Sequence, residues 1–277
     1  MENSTVDEIG AGGARVAAAF AAARAQRRAA LMPYLMGGFP DLEASISVAE
    51  AYVDAGADLV ELGVPFSDPL ADGPVIHGAA TAALAAGATF EAVLEVCERV
   101  ARRVAVVPMC YANLALARGP AEFAATLAGA GSAGVIVPDL PPEEGGEIAA
   151  RLREVGLPLV PLVAPTTAPE RRREIAGRAE GFVYLVSDTR VTGERDELPA
   201  GLAHLLEATK ADAHVPVAVG FGIATPQQAA AVGAYADGVI IGTRLVRAVA
   251  EAGDADAAAA AVGEFLRDCR VALERVG

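Results

Sequence analysis

Basic residues are scarce in this chain of 277 residues, which has 22 Lys and Arg against 36 Asp and Glu. The formal net charge of −14 repels nucleic acid and anionic membrane surfaces, so we expect neither as a partner. Small anionic metabolites are not excluded, because backbone N–H groups at a turn can hold a phosphate locally. The composition therefore argues against nucleic-acid and membrane functions and leaves anionic substrates open.

Cysteines and long apolar runs are also scarce. Cys97, Cys110 and Cys269 are an odd number without the spacing of metal ligands, and we interpret them as buried thiols. No run approaches the roughly 18 apolar residues that cross a bilayer, and the acidic start does not resemble a secretory signal. Much of the 53% hydrophobic content is alanine, a strong helix former. We therefore expect a cytoplasmic protein that is rich in helices.

Apolar β-type runs alternate regularly with helical patterns along the chain. Eight of these runs are typical of parallel strands that are buried on both faces. An open doubly wound sheet is the alternative, but it usually carries a G-x-G-x-x-G fingerprint after its first strand, and Met36–Pro40 lacks it. The pattern therefore predicts an α/β protein, with one (β/α)8 barrel domain over residues 1–277. The predicted strands are Leu31–Met36, Asp58–Leu62, Val104–Met109, Gly134–Pro138, Leu157–Val163, Gly181–Val186, Val215–Gly220 and Gly238–Ile241.

Three additions to a simple barrel are expected. An extra N-terminal helix, near Arg15–Arg28, precedes the first strand, and residues 1–13 are predicted to form a flexible tail. Two helices, near Val75–Ala86 and Phe90–Arg102, fill the connection after the second strand, one more than a simple barrel needs. A long polar segment, Ser187–Leu198, follows the sixth strand, and long loops in compact domains are usually functional or disordered.

A carboxylate stands near the end of the second predicted strand, where barrels of this kind place their active sites. Glu61 lies in a run that should be buried, and a buried carboxylate is costly unless it has partners or a chemical task. It is either a structural group bonded to a neighbouring hydroxyl or a catalytic one. The following loop, Val64–Pro74, is stiffened by three prolines and holds Asp68 and Asp72, although Asp in such a loop also forms ordinary turns.

Glycines follow the last two predicted strands, at Gly220-Phe221-Gly222 and at Gly242-Thr243. Glycine allows backbone N–H groups to approach a phosphate closely, and a phosphate site after strands 7 and 8 recurs among barrels. Tight turns without a ligand are the alternative. The three histidines lack metal-ligand spacing and no nucleophile elbow occurs, so we predict neither a metal site nor a Ser-His-Asp triad.

The segment from Glu61 to Pro74, ELGVPFSDPLADGP, closely resembles the signature of tryptophan synthase α subunits. The resemblance covers nearly the whole chain from about Arg15 onward. It implies a retro-aldol cleavage, without a cofactor, of indole-3-glycerol phosphate to indole and glyceraldehyde 3-phosphate in tryptophan biosynthesis. Further motifs match in the same order: Tyr111–Asn113, Val137–Pro141, Leu162–Thr167, Val191–Gly193, Gly220–Ile223 and Asp237–Thr243.

The resemblance also implies roles for individual residues. Glu61 would protonate the indole ring at C3 and assist deprotonation of the glycerol hydroxyl. Asp72 would stabilise the positive charge on the indole nitrogen, Tyr184 would position the substrate beside Glu61, and Thr192 would bond Asp72 when the sixth loop closes. The remaining implied contacts are a phosphate-binding backbone at Gly193, Gly222, Gly242 and Thr243 and two ring-flanking side chains, Phe221 and Tyr111.

The family pairs with a β subunit in an α2β2 complex, so the resemblance implies this partner too. Arg190 stands where the family normally has a glycine, and a side chain there is costly if the backbone needs a positive φ. We therefore expect weaker coupling to a β subunit. Arg244 is also unusual, and it could add a contact to the phosphate.

Several functions stay open at this point. The chain is a true α subunit, a stand-alone lyase that releases free indole for a specialised pathway, or a non-enzymatic activator of a β-type partner. A different phosphate-binding barrel is a distant fourth. The presence of Glu61 and Asp72 argues against the non-enzymatic activator, and Arg190 is the only feature that favours the stand-alone lyase.

Overall fold

The computed structural model describes residues 11–186, 200–220 and 222–274. Its strands are parallel and form one sheet that curls into a nearly closed barrel, in the order β5-β4-β3-β2-β1-β9-β8-β7-β6. The prediction of a (β/α)8 barrel is confirmed. The nine strand segments are β1 Ala30–Met36, β2 Leu59–Gly63, β3 Ala105–Met109, β4 Val135–Ile136, β5 Leu159–Val160, β6 Leu162–Val163, β7 Val183–Val186, β8 Val217–Gly220 and β9 Gly238–Ile241.

The fifth predicted strand, Leu157–Val163, is divided into β5 and β6 at Pro161. Proline has no N–H for the ladder, although the Pro161 carbonyl still accepts a hydrogen bond from the Tyr184 N–H at 2.9 Å. β5 pairs with β4 and β6 pairs with β7. These two segments are the two ends of the sheet order, so the barrel closes through one interrupted strand. The structure therefore has nine strand segments where eight strands were predicted.

Helices fill the connections between the strands, and two of them, α3 and α4, lie between β2 and β3 as predicted. The connection from β3 to β4 also holds two helices, because Gly119, with φ of +87°, and Pro120 separate α5 from α6. The helices of the described residues are α1 Ala11–Ala25, α2 Leu42–Asp54, α3 Pro74–Ala85, α4 Phe90–Val100, α5 Ala112–Arg118, α6 Pro120–Gly129, α7 Gly146–Glu154, α8 Pro169–Gly177, α9 Ala200–Asp212, α10 Pro226–Gly233, α11 Thr243–Glu251 and α12 Ala255–Glu274.

Among the described residues, no single helix has both the length and the hydropathy needed to cross a membrane. Only α3 and α4 taken together pass that test, on length and composition alone, and they are bent by 108° relative to each other.

Helix α1 closes the N-terminal end of the barrel. Val16, Phe20 and Ala23 recur at helical spacing and are buried, and the Phe20 ring lies 5.6 Å from the ring of Phe182 inside the barrel. The Arg15 guanidinium donates to three backbone carbonyls, those of Gly131, Ala101 and Val104.

The start of α1 corrects one prediction. The helix begins at Ala11, so positions 11–13 are helical and do not belong to the predicted tail of residues 1–13. The reason is close packing: a Cβ on Gly12 would lie 2.8 Å from the Gly156 carbonyl oxygen. Glycine there allows the first turn of α1 to rest against the loop before β5.

Side chains on β1 and β2 alternate between the barrel interior and the layer of helices. Met32 and Leu59 pack in the interior, whereas Leu31 and Leu62 pack towards the helices. Because the period of a strand is two residues, the same alternation turns Glu61 towards the interior, near the C-terminal end of β2.

Candidate active site

Glu61 is a buried carboxyl group near the C-terminal end of β2. Its side chain is on the inner face of β2, the residue is 2% exposed, and its Oε2 has no hydrogen-bond partner among the described residues. This argues against a structural carboxylate bonded to a neighbouring hydroxyl. Burial, followed by the nearby charge of Asp72, raises the pKa of Glu61 from 4.5 to about 8. At neutral pH the group is therefore mostly a neutral acid that can donate a proton.

Asp72 lies at the end of the loop between β2 and α3 and is only partly buried. Burial raises the pKa of its carboxyl group, while the Tyr111 hydroxyl and then the charge of His77 act to lower it. Tyr111 also holds the loop in place: its hydroxyl accepts the Ala71 N–H at 3.1 Å, and its ring stacks on Phe66 with centroids 5.1 Å apart. The net result is a raised pKa of Asp72, with burial as the largest cause, and the Tyr111 hydroxyl and the charge of His77 limit the rise.

Two neighbouring carboxyl groups can have different pKa values when their environments differ. One can then act as a proton donor while the other carries a negative charge. Glu61 is enclosed and its Oε2 has no partner among the described residues, whereas Asp72 is partly solvated and lies against the Tyr111 hydroxyl. Asp68, the third carboxylate of this region, is exposed and accepts a hydrogen bond from the adjacent Ser67 hydroxyl at 2.7 Å. That contact agrees with an ordinary turn at Asp68.

Tyr184 enters the same space from β7. Burial raises the pKa of its hydroxyl well above 10, and the charges of Glu61 and Asp72 act in the same direction. Its ring depends on a glycine of the next strand, because a Cβ on Gly220 would lie 2.6 Å from the Tyr184 Oη. Gly220 therefore gives room to a tyrosine, a role that sequence patterns did not indicate.

Tyr34 and His77 are neighbours of the carboxyl groups that sequence reasoning missed. Tyr34 lies on β1 directly opposite Glu61 in the β1–β2 register and is 6% exposed. The available signal was its spacing of two residues from Met32, which places both side chains on the inner face of the strand. His77, which was set aside for lack of metal-ligand spacing, acts on Asp72 from the first turn of α3.

Three of the predicted phosphate-binding residues, Gly222, Gly242 and Thr243, lie after β8 and β9, at the same end of the barrel. Gly242 is the N-cap of α11 and Thr243 is its first residue, so free N–H groups of the first turn are available there. Gly222 has a φ of +28°, a backbone conformation that favours glycine, and open space where a Cβ would be. The Arg244 guanidinium lies over the Phe265 ring, 5.0 Å from the centroid.

Four predicted positions lie outside the described residues: Thr192, Gly193, Phe221 and Arg190. The described ones, Glu61, Asp72, Tyr184, Tyr111, Gly222, Gly242 and Thr243, all lie at the C-terminal end of the barrel. In the part of the chain that the structure describes, no three His, Cys, Asp or Glu side chains are grouped so that they could hold a metal ion.

A separate cavity of about 440 Å³ opens on the outer wall of the barrel, at the break in the fifth strand. Its lining includes Leu140, Pro161 and Ile175 and none of those predicted site residues that the structure describes. Asp139 on its rim has a structural use, since its carboxylate accepts the Ala112 N–H at 2.8 Å. The chemistry of the two carboxyl groups therefore belongs to the barrel mouth and not to this cavity.

Comparisons with known proteins point in one direction. The family model described as tryptophan synthase alpha chain matches residues 20–273. The tryptophan synthase alpha chain of Carboxydothermus hydrogenoformans is 47% identical over 85% of this chain and 89% of its own length. That of Thermosynechococcus vestitus is 43% identical over 94% and 98% of the two chains.

Solved structures give the same result. A chain of tryptophan synthase from M. tuberculosis, in an open form with BRD0059 bound, has a TM-score of 0.85 at 37% identity, covering 95% of this chain and 99% of that one. The tryptophan synthase alpha chain from Legionella pneumophila subsp. pneumophila also has a TM-score of 0.85, at 34% identity over 95% and 98% of the two chains.

Proposed function

The chain belongs to the tryptophan synthase alpha chain family, and we propose how its described residues perform the reaction of that family. The protein is a carbon–carbon lyase that cleaves indole-3-glycerol phosphate to indole and glyceraldehyde 3-phosphate in tryptophan biosynthesis. One observation carries the assignment of residues: Glu61 is buried at the catalytic end of a barrel strand near Asp72, and its Oε2 has no hydrogen-bond partner among the described residues.

The first step is proton transfer to carbon. The bond between the indole ring and the glycerol chain can break only if the ring accepts the electron pair, so ring carbon C3 must gain a proton. Glu61 supplies that proton, because its raised pKa of about 8 keeps it protonated at neutral pH. General acid catalysis of this kind is typically worth about 10²–10⁴-fold in rate.

Asp72 acts on the charge that this protonation creates. The protonated ring carries positive charge at its nitrogen, and a fixed carboxylate nearby stabilises that charge as it develops. The contacts of Tyr111 with Ala71 and Phe66 hold the loop that carries Asp72. Tyr184, whose hydroxyl stays neutral, orients the substrate beside Glu61.

The second step returns the proton. The Glu61 carboxylate takes the proton from the glycerol hydroxyl on the carbon attached to the ring. The oxygen electrons then form the aldehyde C=O while the carbon–carbon bond breaks and its electron pair returns to the ring. Indole and glyceraldehyde 3-phosphate leave, and Glu61 is again protonated, so no cofactor takes part in the balance.

The phosphate is held by backbone groups. Gly222, Gly242 and Thr243 lie where N–H groups and a helix N-terminus can meet an anion, and Arg244 is directed to Phe265 instead. The family resemblance adds Gly193 and Thr192 to this set and Phe221 to the ring contacts.

The protein partner of the family is a β subunit, and we extend this to an α2β2 complex. Leu70 is 90% exposed and Leu116 is 63% exposed, and they follow neighbouring strands, β2 and β3, at the catalytic end of the barrel. We propose that these two side chains contribute to the contact with the β subunit. We also propose one domain and a cytoplasmic location for the chain.

Replacement of Glu61 tests the proposed residue assignment. We expect Glu61→Gln to lower kcat for release of free indole by about 10²–10⁴-fold, with a small change in KM, because proton transfer is lost while the shape is kept. Asp68→Asn is the matched control, since it neutralises an exposed carboxylate of the neighbouring loop. Activity of Glu61→Gln above about a tenth of wild type would rule out the acid–base role.

A second measurement separates an α subunit from a stand-alone lyase. Cleavage is measured with and without a cognate β subunit, for wild type and for Arg190→Gly. Activation that is weak in wild type and stronger in Arg190→Gly supports impaired coupling. Strong activation of both proteins alike leaves the stand-alone lyase without support.

A further inference from the structure

Tyr34 is the side chain that flanks Glu61 from the neighbouring strand. The two residues are direct partners in the parallel register of β1 and β2, and both point into the barrel. Tyr34 is 6% exposed and Glu61 is 2% exposed. The Tyr34 side chain is therefore next to Glu61, on the side that faces β1.

A glycine on the neighbouring strand β2 makes room for this ring. A Cβ on Gly63, two residues beyond Glu61 on β2, would lie 2.0 Å from the Tyr34 Oη and 2.5 Å from its Cζ. On the other side, a Cβ on Gly242 after β9 would be 3.6 Å from the Tyr34 Cβ, an ordinary contact. The ring thus extends along the inner face of β2, and its hydroxyl end lies against the Gly63 backbone.

A second tyrosine fixes Tyr34 from behind the barrel wall. Tyr52 is fully buried on α2, and its hydroxyl donates a hydrogen bond to the Tyr34 carbonyl oxygen at 3.1 Å. Pro33, the preceding residue of β1, offers no N–H to the sheet. The Tyr52 hydroxyl therefore supports the strand at the residue that flanks the acid.

We propose that Tyr34 is a positioning residue whose ring keeps water away from the Glu61 carboxyl group, and that Tyr52 holds it in that place. This inference rests on the proposed acid–base role of Glu61 for its kinetic readout only. The proposed role involves no contact between the ring and a reacting atom. It acts through Glu61, because a carboxyl group that cannot be solvated favours its neutral form.

Several titratable groups face Glu61, and each must be considered in a pH experiment. Tyr34 faces it from β1, Tyr184 from β7 and Asp72 from the loop after β2. Asp72 raises the pKa of Glu61, but it is the second cause after burial. His77 and Tyr111 act on Asp72, from α3 and from the end of β3 respectively. Residues 187–199 are outside the described part of the chain.

The test compares Tyr34→Leu with Tyr34→Phe. Leucine removes the part of the ring that reaches Gly63 and leaves space for about one water, which takes about 30 Å³, whereas phenylalanine keeps the ring. We expect the alkaline limb of the kcat/KM profile to move down by about one pH unit or more in Tyr34→Leu, and by much less in Tyr34→Phe. The limb moves down because cleavage needs protonated Glu61.

Two further variants test the geometry itself. Adding Gly63→Ala to Tyr34→Leu refills part of the vacated space with a methyl group, so the limb should move back towards wild type. Tyr52→Phe should produce a smaller shift in the same direction as Tyr34→Leu. Tyr235→Phe is the matched control, because Tyr235 is 52% exposed and is expected to leave the profile unchanged.

A substrate-free titration keeps this inference separate from the proposed function. The infrared C=O band of protonated Glu61, identified by its absence in Glu61→Gln, gives a titration midpoint that should fall by the same amount in Tyr34→Leu. An active Glu61→Gln would refute the catalytic assignment, yet the infrared midpoint would still test Tyr34. If Tyr34→Leu fails to fold, the infrared midpoint of Tyr52→Phe decides.

Two results would overturn the inference. One is a Tyr34→Leu protein whose infrared midpoint equals that of wild type, because the ring then has no effect on the solvation of the Glu61 carboxyl group. The other is a Tyr34→Phe protein whose infrared midpoint shifts as far as that of Tyr34→Leu, because the effect would then come from the hydroxyl and not from the ring.

Discussion

Glu61 should make the folded protein less stable at neutral pH, so its replacement by glutamine should stabilise the fold while it removes activity. The pKa of this buried carboxyl group is about 8 in the folded chain, against an ordinary value of 4.5. Between these two pH values the unfolded chain has released the proton and the folded chain still binds it. The contribution of Glu61 to folding stability is therefore greatest below pH 4.5, falls as the pH rises to about 8, and then levels off.

The size of this effect follows from the interval between the two pKa values. At about 1.4 kcal/mol per pH unit, the full interval corresponds to a loss of about 5 kcal/mol in unfolding free energy above pH 8. At pH 7 the loss is about 3 kcal/mol, because only the part of the interval below pH 7 counts. Glutamine is similar in shape to the protonated acid and does not ionise. We therefore expect Glu61→Gln to exceed wild type by about 3 kcal/mol in unfolding free energy at pH 7 and to match it near pH 4.5.

The assay is urea unfolding of both proteins at several pH values between 5 and 9, followed by circular dichroism. Glu98→Gln, a change at an exposed glutamate of α4, is the matched control and should differ from wild type by about 0.5 kcal/mol or less. A stability difference between wild type and Glu61→Gln that does not depend on pH would refute the reasoning. So would a wild-type protein that is the more stable of the two at pH 8.5.

Three further changes have definite expected outcomes. Asp72→Asn should lower kcat far more than it raises KM, because charge on the indole nitrogen grows towards the transition state, and steady-state kinetics with indole-3-glycerol phosphate measures both. Asp58→Ala should cost about 3–5 kcal/mol in urea unfolding, since it leaves the buried Arg28 guanidinium, now paired at 2.6 and 2.7 Å, without its carboxylate. Leu70→Asp should raise by about tenfold or more the concentration of β subunit needed for half-maximal activation, because it charges an exposed apolar contact.

Local sequence patterns were sufficient to predict the strands and helices of the barrel. Helix α4 was predictable because Phe90, Val93, Cys97 and Val100 recur at helical spacing, and all four are buried. Buried parallel strands were predictable as continuous apolar runs. The break at Pro161 was also within reach of the sequence, since a proline has no N–H to donate to a central strand.

The candidate site was only partly predictable. Glu61 could be placed at a catalytic strand end because its neighbours on the chain are apolar and its position in the strand is clear. The use of Gly220 could not be foreseen, because the Tyr184 ring that it accommodates comes from another strand. The position of the Arg244 guanidinium could not be predicted either, because the Phe265 ring beneath it belongs to another helix, α12.

By itself the sequence determined the order of strands and helices, the location of the carboxyl groups at one end of a barrel, and the family, because each of these depends on residues that are close in the chain. Only the tertiary structure decided the protonation of Glu61. Its neutral form depends on burial inside the barrel and on the charge of Asp72, which is 11 residues after it in the chain. Solvation and charge interactions depend on distance in space, and no sequence pattern contains that distance until the strands have closed into a barrel.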